Sequence, residues 1–349
     1  MAALETRLEP AAGRDAAWDH FVAGQPDGHH EQTSAFGEQR ASAGFEVLRL
    51  KVLEDGRILG GAQVLVQHTP LGQFAQLLRG PLARDGHVGL LDEVIAGLGR
   101  AGAARCLFSL RVDLFAEQRA ARERLIAAGF TESQAWDGAH VSSSVHVEDS
   151  DDTILGRMSA KGRYNIRLAH RRGVSVRRGG AEDIDAFHAL YSETARHQQF
   201  LTFPRAYFRA LAEAFGDGGR WVLFIAELDG RPVAAIATIV IGDCMYYTFG
   251  GMHRGESVRR AMPNYALHFE AMRHARSMGC RRYDLVGQSQ FKARLQHELH
   301  PWPLALRGLF GPARGLRGRL IERLGEPGIA RQLLDRASRR LGYRRPLAW

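Results

Sequence analysis

The sequence predicts an α/β protein in which one module of mixed sheet and helices occurs twice. Residues 45–66 and 221–241 each contain two apolar, β-rich runs separated by an Asp-Gly turn, with the glycine at Gly56 and at Gly230. An Asp-Gly pair between such runs is a strong signal for a tight β-hairpin. The two segments therefore predict the same antiparallel unit at two places, 174 positions apart.

A second repeated feature follows each hairpin. A helix-like stretch ends at Gly102 in the first half and at Gly279 in the second, and each glycine leads into an apolar, strand-like run. These glycines are 177 positions apart, close to the offset of the hairpins. A hairpin followed by a strand, a helix and another strand is the element order of the GNAT acyltransferase fold. We therefore expect an α/β (α+β) protein of two tandem GNAT-like domains with mixed, largely antiparallel sheets.

Local patterns predict the helices of the second module. Residues 152–173 have helical periodicity and end at a glycine, which favours one helix with a glycine stop. Residues 182–216 supply two more helices before the hairpin. Pro263 stands where the first turn of the following helix would accept a residue without an amide hydrogen.

The domain boundary is expected near residues 142–152, where a strand tail meets an acidic helix start. We assign residues 1–148 to the first domain, 149–310 to the second and 311–349 to a basic C-terminal helical extension. Leucines alternate with arginines in that extension. It is therefore expected either to contact a membrane surface through residues 311–345 or to pack on the protein with its arginines in water.

The composition is typical of a soluble globular protein. The chain has 349 residues, 45% of them hydrophobic, and shows neither a signal segment nor an apolar run of membrane-spanning length, which favours a cytoplasmic location. The formal charge of +9 favours a polyanionic partner such as RNA, a phosphorylated sugar or an acidic lipid surface. The three cysteines are expected to be reduced core residues, and no spacing typical of a metal site occurs.

Lysine is rare in this chain. Only Lys51, Lys161 and Lys292 stand among 47 basic residues. Because arginine serves at most cation positions here, a retained lysine is a candidate for a place that requires a compact ammonium. Lys51 alternates with Arg49 on the polar side of a strand pattern, so we expect it to be an ordinary solvated residue. Lys161 and Lys292 lie in more motif-like segments.

The helix predicted at residues 152–173 carries a dense positive face. Its cations are Lys161, Arg163, Arg167, Arg171 and Arg172, and none has an acidic residue four positions away within the stretch. Solvation alone could account for such a face. Mutual repulsion of the cations is easier to explain, however, if phosphate groups neutralise it.

One feature of CoA-dependent GNAT enzymes is missing. Those enzymes hold the CoA pyrophosphate on backbone amides of a glycine-rich loop that opens the central helix. Residues 254–264 occupy that place, but they lack the paired glycines and include Pro263, which has no amide to donate. CoA is therefore disfavoured, and no cofactor is predicted. Residues 246–251 are expected to form a core strand with close backbone approach at its glycines, or else to border a binding cleft.

Several segments together resemble the FemABX family, non-ribosomal peptidyl transferases that extend the stem peptide of peptidoglycan precursors. They are residues 161–169, 247–251, 262–264, 279–287 and 291–292, with Leu78-Arg-Gly-Pro81 and Gly129-Phe130 in the first half. The resemblance implies two GNAT-like domains and aminoacyl-tRNA as donor. The chain departs from the family in a shorter segment between Gly287 and Phe291, in the absence of an inserted helical arm, and in lacking a Trp-Lys pair near the start, whose role would pass to Arg40.

The resemblance implies aminoacyl transfer to an amine of the precursor. Lys292 would supply positive charge to the oxyanion and the leaving ribose oxygen, and Phe291 would shape the donor pocket. The substrate-binding residues would be Arg40, Lys161, Arg163, Asn165, Arg167, Tyr247 and Gly250. The partners would be aminoacyl-tRNA and a lipid-linked or UDP-linked peptidoglycan precursor. Because the donor ester is already activated, the reaction needs no metal and no covalent enzyme intermediate.

Two alternatives stay open at the level of the sequence. A CoA-dependent N-acyltransferase of the same fold, acting in cell-envelope or exopolysaccharide synthesis, would bind CoA. A non-catalytic RNA-binding or membrane-surface protein would keep its function without Lys292.

Overall fold

The structure of the protein is a computed structural model. It describes residues 4–11, 13–69, 72–84, 89–115, 118–133, 141–200, 202–301 and 304–309. The basic extension predicted at 311–349, with its predicted membrane contact, lies outside these ranges.

Fifteen strands and ten α-helices are described in these ranges. The strands in chain order are β1 (Glu5–Pro10), β2 (Glu46–Glu54), β3 (Arg57–Thr69), β4 (Gly72–Leu78), β5 (Leu82–Ala83), β6 (Leu107–Leu114), β7 (Thr131–Ser133), β8 (Val141–His146), β9 (Ser175–Gly179), β10 (Trp221–Leu228), β11 (Arg231–Ile241), β12 (Cys244–Met252), β13 (Arg282–Asp284), β14 (Glu298–Pro301) and β15 (Leu304–Leu309). The helices are α1 (Ala16–Ala23), α2 (Ser34–Ser42), α3 (Leu90–Ala104), α4 (Arg119–Ala127), α5 (Asp151–Arg157), α6 (Ala160–Arg171), α7 (Ile184–Gln198), α8 (Arg205–Phe215), α9 (Glu256–Ala261) and α10 (Pro263–Ser277).

Two compact units divide the chain, and each is built on one sheet. The sheet of the first unit has the order β1-β2-β3-β4-β6-β15-β7, with β5 beside β3. Its core includes Leu50, Val94 and Leu110, which bring α3 onto the sheet. The sheet of the second unit has the order β14-β8-β13-β12-β11-β10-β9. Its core includes Leu267 and Met245, which lie where α10 covers the sheet.

Both predicted hairpins form, and both turn at the predicted Asp-Gly pair. Asp55 and Gly56 have φ values of 48° and 78°, and Asp229 and Gly230 have values of 52° and 70°. Positive φ at both central residues is the conformation of a type I′ turn, which matches the right-handed twist of the flanking strands. Asp-Gly is preferred there because both residues tolerate the left-handed region.

Strand pairing after the hairpins is also the same in the two units. The second hairpin strand continues into an antiparallel neighbour, β3 into β4 and β11 into β12. That neighbour then pairs in parallel with the strand that follows the main helix, β4 with β6 and β12 with β13. The predicted fold class and internal duplication are thus confirmed at the level of topology.

The units differ from the sequence-based domains by two strands. Assigning residues 1–148 and 149–310 would place β8 in the first domain and β15 in the second. In the structure β8 lies between β13 and β14 in the second sheet, whereas β15 lies between β6 and β7 in the first. Both placements depend on hydrogen bonds between strands far apart in the chain, which local patterns do not encode.

Two helix boundaries also differ from the prediction. Gly102 lies inside α3, which runs to Ala104, and the left-handed residue after that helix is Cys106, with φ of 52°. Cys106 is therefore the positional counterpart of Gly279, and unlike the buried Cys244 and Cys280 it is exposed. Residues 152–173 form two helices instead of one, because Ser159 caps the start of α6.

Candidate active site

The second sheet opens at the carboxyl end of its parallel strand pair. Pairing between β12 and β13 extends from Cys244–Arg282 to Tyr246–Asp284, whereas β12 continues beside β11 as far as Met252. Residues 247–252 on one side and 285–292 on the other therefore border a gap, here called the β12–β13 opening. Open α/β sheets bind ligands at the carboxyl ends of their strands.

Lys292 lies in the β12–β13 opening. It begins a short 3₁₀ turn, Lys292–Arg294, and its Nζ donates a hydrogen bond to the carbonyl oxygen of Val286. The same Nζ stands 5.6 Å from the centroid of the Tyr247 ring, within the range of a cation–π contact. Lys292 and Tyr247, which the sequence placed in one site, are thus neighbours in space.

Aromatic side chains surround this lysine. Phe291 packs edge-on against Tyr265, with ring centroids 4.8 Å apart, and its centroid lies 5.3 Å from that of His268. Tyr247 meets the same His268 edge-on at 4.9 Å. Nδ1 of His268 is hydrogen-bonded to the hydroxyl of Tyr283 at 2.7 Å. The lysine thus faces rings rather than carboxylates, and Phe291 forms part of the wall, as the resemblance implied.

Burial shapes the protonation of these groups. It lowers the pKa of Lys292 to about 8, although the negative charge of Asp284 acts in the opposite direction. Burial, together with the nearby Lys292 charge, lowers the pKa of His268 to about 3, so that imidazole is neutral near pH 7. Burial raises the pKa of Tyr247 to about 12. The Lys292 ammonium thus stands beside a neutral imidazole and a neutral phenol, with the Asp284 carboxylate behind the turn.

A sharp turn joins β13 to the lysine. Oδ1 of the fully buried Asp284 accepts hydrogen bonds from the amide of Val286 at 2.7 Å and from the hydroxyl of Ser142 at 2.6 Å. The Ser142 oxygen in turn accepts from the amide of Gly287 at 2.9 Å. This turn presents the Val286 carbonyl that receives the lysine.

The start of α6 packs directly against the 3₁₀ turn Lys292–Arg294, here called the lysine turn. A Cβ added to Gly162 would lie far inside van der Waals contact with the carbonyl oxygen of Arg294. The hydroxyl of Ser159 donates to the same oxygen at 3.1 Å. Asn165, one turn further along α6, is 2% exposed, and its Nδ2 donor has no acceptor within the described part of the chain. Gly162 is therefore needed for close helix approach, and Asn165 retains a free donor.

The positive face of α6 points largely to solvent. Lys161, Arg167, Arg171 and Arg172 are exposed, and among the residues that the structure describes no carboxylate pairs with any of them or with Arg163. Arg163 has a local structural contact, because its guanidinium donates to the carbonyl of Met158 at the end of α5. Tyr164 is 54% exposed, and the Arg171 guanidinium carbon lies 5.7 Å from its ring centroid.

The other predicted residues have definite places. Gly250 lies on β12, where a Cβ would stand 2.5 Å from the Tyr247 hydroxyl, so glycine makes room for that ring. Arg40 lies in the first unit on α2, with its guanidinium 4.7 Å from the centroid of the Phe36 ring. The binding roles of these residues stay predictions.

Sequence reasoning missed several residues of the site: Ser142, Tyr265, His268 and Asp284. Asp284 lies within the segment 279–287, but the sequence gave no reason to assign it a role. Ser142 lies in a run of three serines that the sequence predicted to be a strand tail at the domain boundary, and all three are fully buried on β8. A serine run with an alternating apolar flank, Val141 and Val145, was the available signal.

Within the described ranges, no group of three or more His, Cys, Asp or Glu side chains is arranged to hold a metal ion. None of the helices described there is long and apolar enough to cross a membrane.

Comparison with known proteins places the site within a recognised domain. The acetyltransferase (GNAT) domain family matches residues 157–293, from the end of α5 to the lysine turn. Lipid II:glycine glycyltransferase of Staphylococcus haemolyticus is 25% identical over 227 residues, which cover 62% of this chain and 54% of that protein. The corresponding protein of Staphylococcus aureus strain MRSA252 is 25% identical over 225 residues, covering 61% and 53%. The chain thus spans about half the length of the curated relatives it matches.

Solved structures agree on the fold. The crystal structure of FemX superposes with a TM-score of 0.66 at 18% identity and covers 86% of this chain and 96% of that one. L-PGS from Bacillus licheniformis gives a TM-score of 0.56 at 12% identity, covering 88% and 96%. The protein therefore has two tandem GNAT-like domains, and the β12–β13 opening lies in the second of them. The resemblance to the FemABX family predicted from the sequence is confirmed by these relatives.

Proposed function

We propose that the protein is an aminoacyltransferase that moves an amino acid from aminoacyl-tRNA to an amine of a peptidoglycan precursor. The observation that carries the proposal is the partly buried ammonium of Lys292 in the β12–β13 opening, within a GNAT-type domain. The staphylococcal relatives are named lipid II:glycine glycyltransferases, an activity of this class.

The chemistry consists of one addition and one elimination. The neutral acceptor amine attacks the ester carbonyl carbon, a C–N bond forms, and the carbonyl electron pair moves to oxygen. The collapse of this oxyanion breaks the C–O bond to the ribose, and the proton lost by the amine goes to the ribose oxygen. A fixed positive charge beside the carbonyl stabilises the oxyanion. Lys292 fulfils this role without giving up its proton.

The surroundings of Lys292 suit this role. Its carbonyl partner Val286 and the ring of Tyr247 hold the ammonium in place, and no carboxylate of the described residues forms an ion pair with it. Burial removes much of the water around the amine and lowers its pKa to about 8, which still leaves most of it protonated near pH 7. Poorly solvated charges interact more strongly with a developing oxyanion than hydrated ones do.

The donor and acceptor are assigned from charge and family. The exposed cations of α6 begin beside the lysine turn, where an RNA 3′ end would bring its phosphates. Arg40, Lys161 and Arg167 are proposed phosphate contacts on the tRNA or the lipid-linked or UDP-linked precursor. A reaction that uses charged tRNA takes place in the cytoplasm, at the inner face of the membrane if the acceptor is lipid-linked.

A CoA-dependent N-acyltransferase is the second candidate, because the matching family is described as an acetyltransferase domain. The start of α10 argues against it. Pro263 occupies the first helical position, and the amide of Tyr265 already donates to the carbonyl of Met262. Fewer amides are therefore free to hold a pyrophosphate.

One assay decides between these functions. The protein is incubated with a mixed pool of aminoacyl-tRNAs and with precursor, and the product mass is read; a parallel reaction contains acetyl-CoA instead. We expect precursor extended by one or more aminoacyl residues, with Lys292→Ala as the inactive control. The proposal would be overturned if the precursor were acetylated, or if Lys292→Ala formed as much aminoacylated precursor as the unchanged protein.

A further inference from the structure

The turn between β13 and Lys292 has an unfavourable backbone. Val286 has φ of 52° and Gly287 has φ of 77°, so two successive residues lie in the left-handed region. Glycine adopts this region readily, but a β-branched residue such as valine rarely does. Such a conformation persists only where the surrounding structure enforces it, and it is often found at functional sites.

One buried carboxylate holds both amides of this turn. Asp284 accepts directly from the Val286 amide at 2.7 Å, and through the Ser142 hydroxyl, 2.6 Å away, it also fixes the Gly287 amide at 2.9 Å. Both side chains are fully buried. Two further backbone bonds, from Leu285 to Ser143 at 2.8 Å and from Ser143 to Gly287 at 3.2 Å, tie the turn to β8.

This arrangement fixes the direction in which the Val286 carbonyl points. With both amides directed toward Asp284 and Ser142, the intervening Val286 carbonyl faces Lys292 and accepts its Nζ hydrogen bond. A Cβ on Gly287 would lie 3.9 Å from the same Nζ, so the turn passes closely by the ammonium. The network therefore ends at the proposed catalytic cation.

We propose that Asp284 and Ser142 are positioning residues for Lys292. Neither contacts substrate in this proposal; they hold the strained turn whose carbonyl orients the ammonium toward the β12–β13 opening. The effect on transfer rests on the proposed function, whereas the effect on Lys292 itself does not. If Asp284 and Ser142 had only a structural role, replacing them would lower the stability of the fold and leave the titration midpoint of Lys292 unchanged.

The first experiment measures the titration midpoint of the Lys292 amine and needs no transfer reaction. Acetic anhydride labelling over a pH series, with quantification of the Lys292 peptide by mass spectrometry, gives the titration midpoint of its amine. In Ser142→Ala the charge of Asp284 is kept but the turn relaxes, so the ammonium gains water. We expect its midpoint to rise, and labelling at a fixed pH near 8 to fall by at least about threefold relative to exposed Lys161.

Ser144→Ala is the matched control. Ser144 lies on the same strand, is equally buried and bonds to Glu298 at 3.3 Å rather than to the turn. We expect its Lys292 midpoint to equal that of the unchanged protein. If Ser142→Ala also leaves the midpoint unchanged in a folded protein, the proposal is wrong, whatever the transfer activity.

The second experiment uses transfer kinetics. Asp284→Asn and Ser142→Ala should lower kcat by about tenfold or more with little change in KM, and neither should add to the loss already caused by Lys292→Ala. If Asp284→Asn lowered kcat by the same factor in the Lys292→Ala protein as in the unchanged protein, Asp284 would act independently of the lysine. That result would overturn the proposal. Should Asp284→Asn fail to fold, as judged by near-UV circular dichroism, Ser142→Ala supplies both readouts. An inactive unchanged protein would count against the proposed function alone, because the labelling result still stands.

Discussion

The ammonium of Lys292 is held in surroundings that oppose its charge. Aromatic rings and a backbone carbonyl surround it, and burial lowers its pKa to about 8. Lys51 is the contrasting case. The sequence predicted a solvated surface residue, but Lys51 is largely buried and pairs with Glu9 and with Asp15 at 2.7 Å. Burial opposes its charge, yet these hydrogen bonds prevail and raise its pKa.

The first prediction concerns the shape of the cation. Lys292→Arg and Lys292→Ala should both remain folded and lose about 10²-fold or more in kcat, because a planar guanidinium cannot direct a compact charge to the same point. Single-turnover rates with aminoacyl-tRNA measure this. Lys51→Arg is the matched control in the other unit and should change stability without changing the rate. Near-normal turnover by Lys292→Arg would remove the catalytic role of the lysine.

The second prediction concerns pH. Lys292 is charged below its pKa of about 8, so its contribution to the rate should be present below pH 8 and lost as the pH rises through that value. The acceptor amine must be neutral, so the rate should first rise with pH and then fall. Initial rates from pH 6 to 9, corrected for spontaneous ester hydrolysis, measure the profile. An alkaline decline that persists in Lys292→Arg would have to come from another group.

The same titration affects stability. An unfolded chain holds the Lys292 proton up to about its usual pKa of 10.5, whereas the folded chain releases it at about 8. The unfolded state therefore binds more protons between these values, and the contribution of Lys292 to stability improves as the pH rises through this window.

At the scale of elements, α6 combines a packing function with a charged face. Its first turn lies against the lysine turn at Gly162, while its cations face outward. The sequence predicted the cations because charge is visible residue by residue. It did not predict the packing contact, because Arg294 is more than a hundred residues away in the chain.

The third prediction tests this packing. Gly162→Ala should lower the free energy of unfolding by about 1–3 kcal/mol, since its Cβ would overlap the Arg294 carbonyl and push α6 from the turn. Gly156→Ala on α5 is the control, because nothing lies within 4 Å of its Cβ position. That change should be stabilising by about 0.4–1 kcal/mol. Urea unfolding measures the free energy of unfolding of both variants. Equal changes in the two would contradict the close approach of α6 to the Arg294 carbonyl.

The fourth prediction tests the charged face. Arg167→Gln should weaken aminoacyl-tRNA binding and reduce the slope of log Kd against log salt by about 1, as expected for the loss of one phosphate contact. Arg209→Gln is the control on α8, where the arginine is 55% exposed and lies 3.5 Å from Asp185. Filter binding at four salt concentrations measures both slopes. A slope unchanged by Arg167→Gln would place the RNA elsewhere.

At the scale of the whole chain, the two units have the same strand pairing but carry different residues at corresponding places. The Asp-Gly turns are the same in both, whereas the position after the main helix is Cys106 in one unit and Gly279 in the other. Duplication thus preserved the backbone conformation where the pairing required it. The lysine turn belongs to the second unit alone in the described structure.

The fifth prediction concerns the ligand of the whole protein. Acetyl-CoA at micromolar concentration should leave the melting temperature unchanged, because the start of α10 offers few free amides for its pyrophosphate. Aminoacyl-tRNA should raise it at low salt. Differential scanning fluorimetry with each ligand measures this, and a clear rise with acetyl-CoA would favour the N-acyltransferase alternative.

The sequence by itself determined the features that depend on neighbours in the chain. The Asp-Gly hairpins, the acidic start of α5, the cations of α6 and the choice of Lys292 all follow from local spacing and residue type. The resemblance to the FemABX family added Phe291 and Tyr247, which the structure brings beside that lysine. Their function stays a prediction.

Only the tertiary structure decided which distant residues meet. Ser142 and Asp284 are 142 positions apart and hold one turn, and Gly162 meets the carbonyl of Arg294 across a similar distance in the chain. The exchange of β8 and β15 between the two sheets is of the same kind. Such contacts are selected by the packing of whole sheets and helices, because burying a polar group is favourable only where its partner is also buried. Local propensity carries no record of that partner, so the sequence identified the serine run only as a strand tail near the domain boundary and gave it no role in the site.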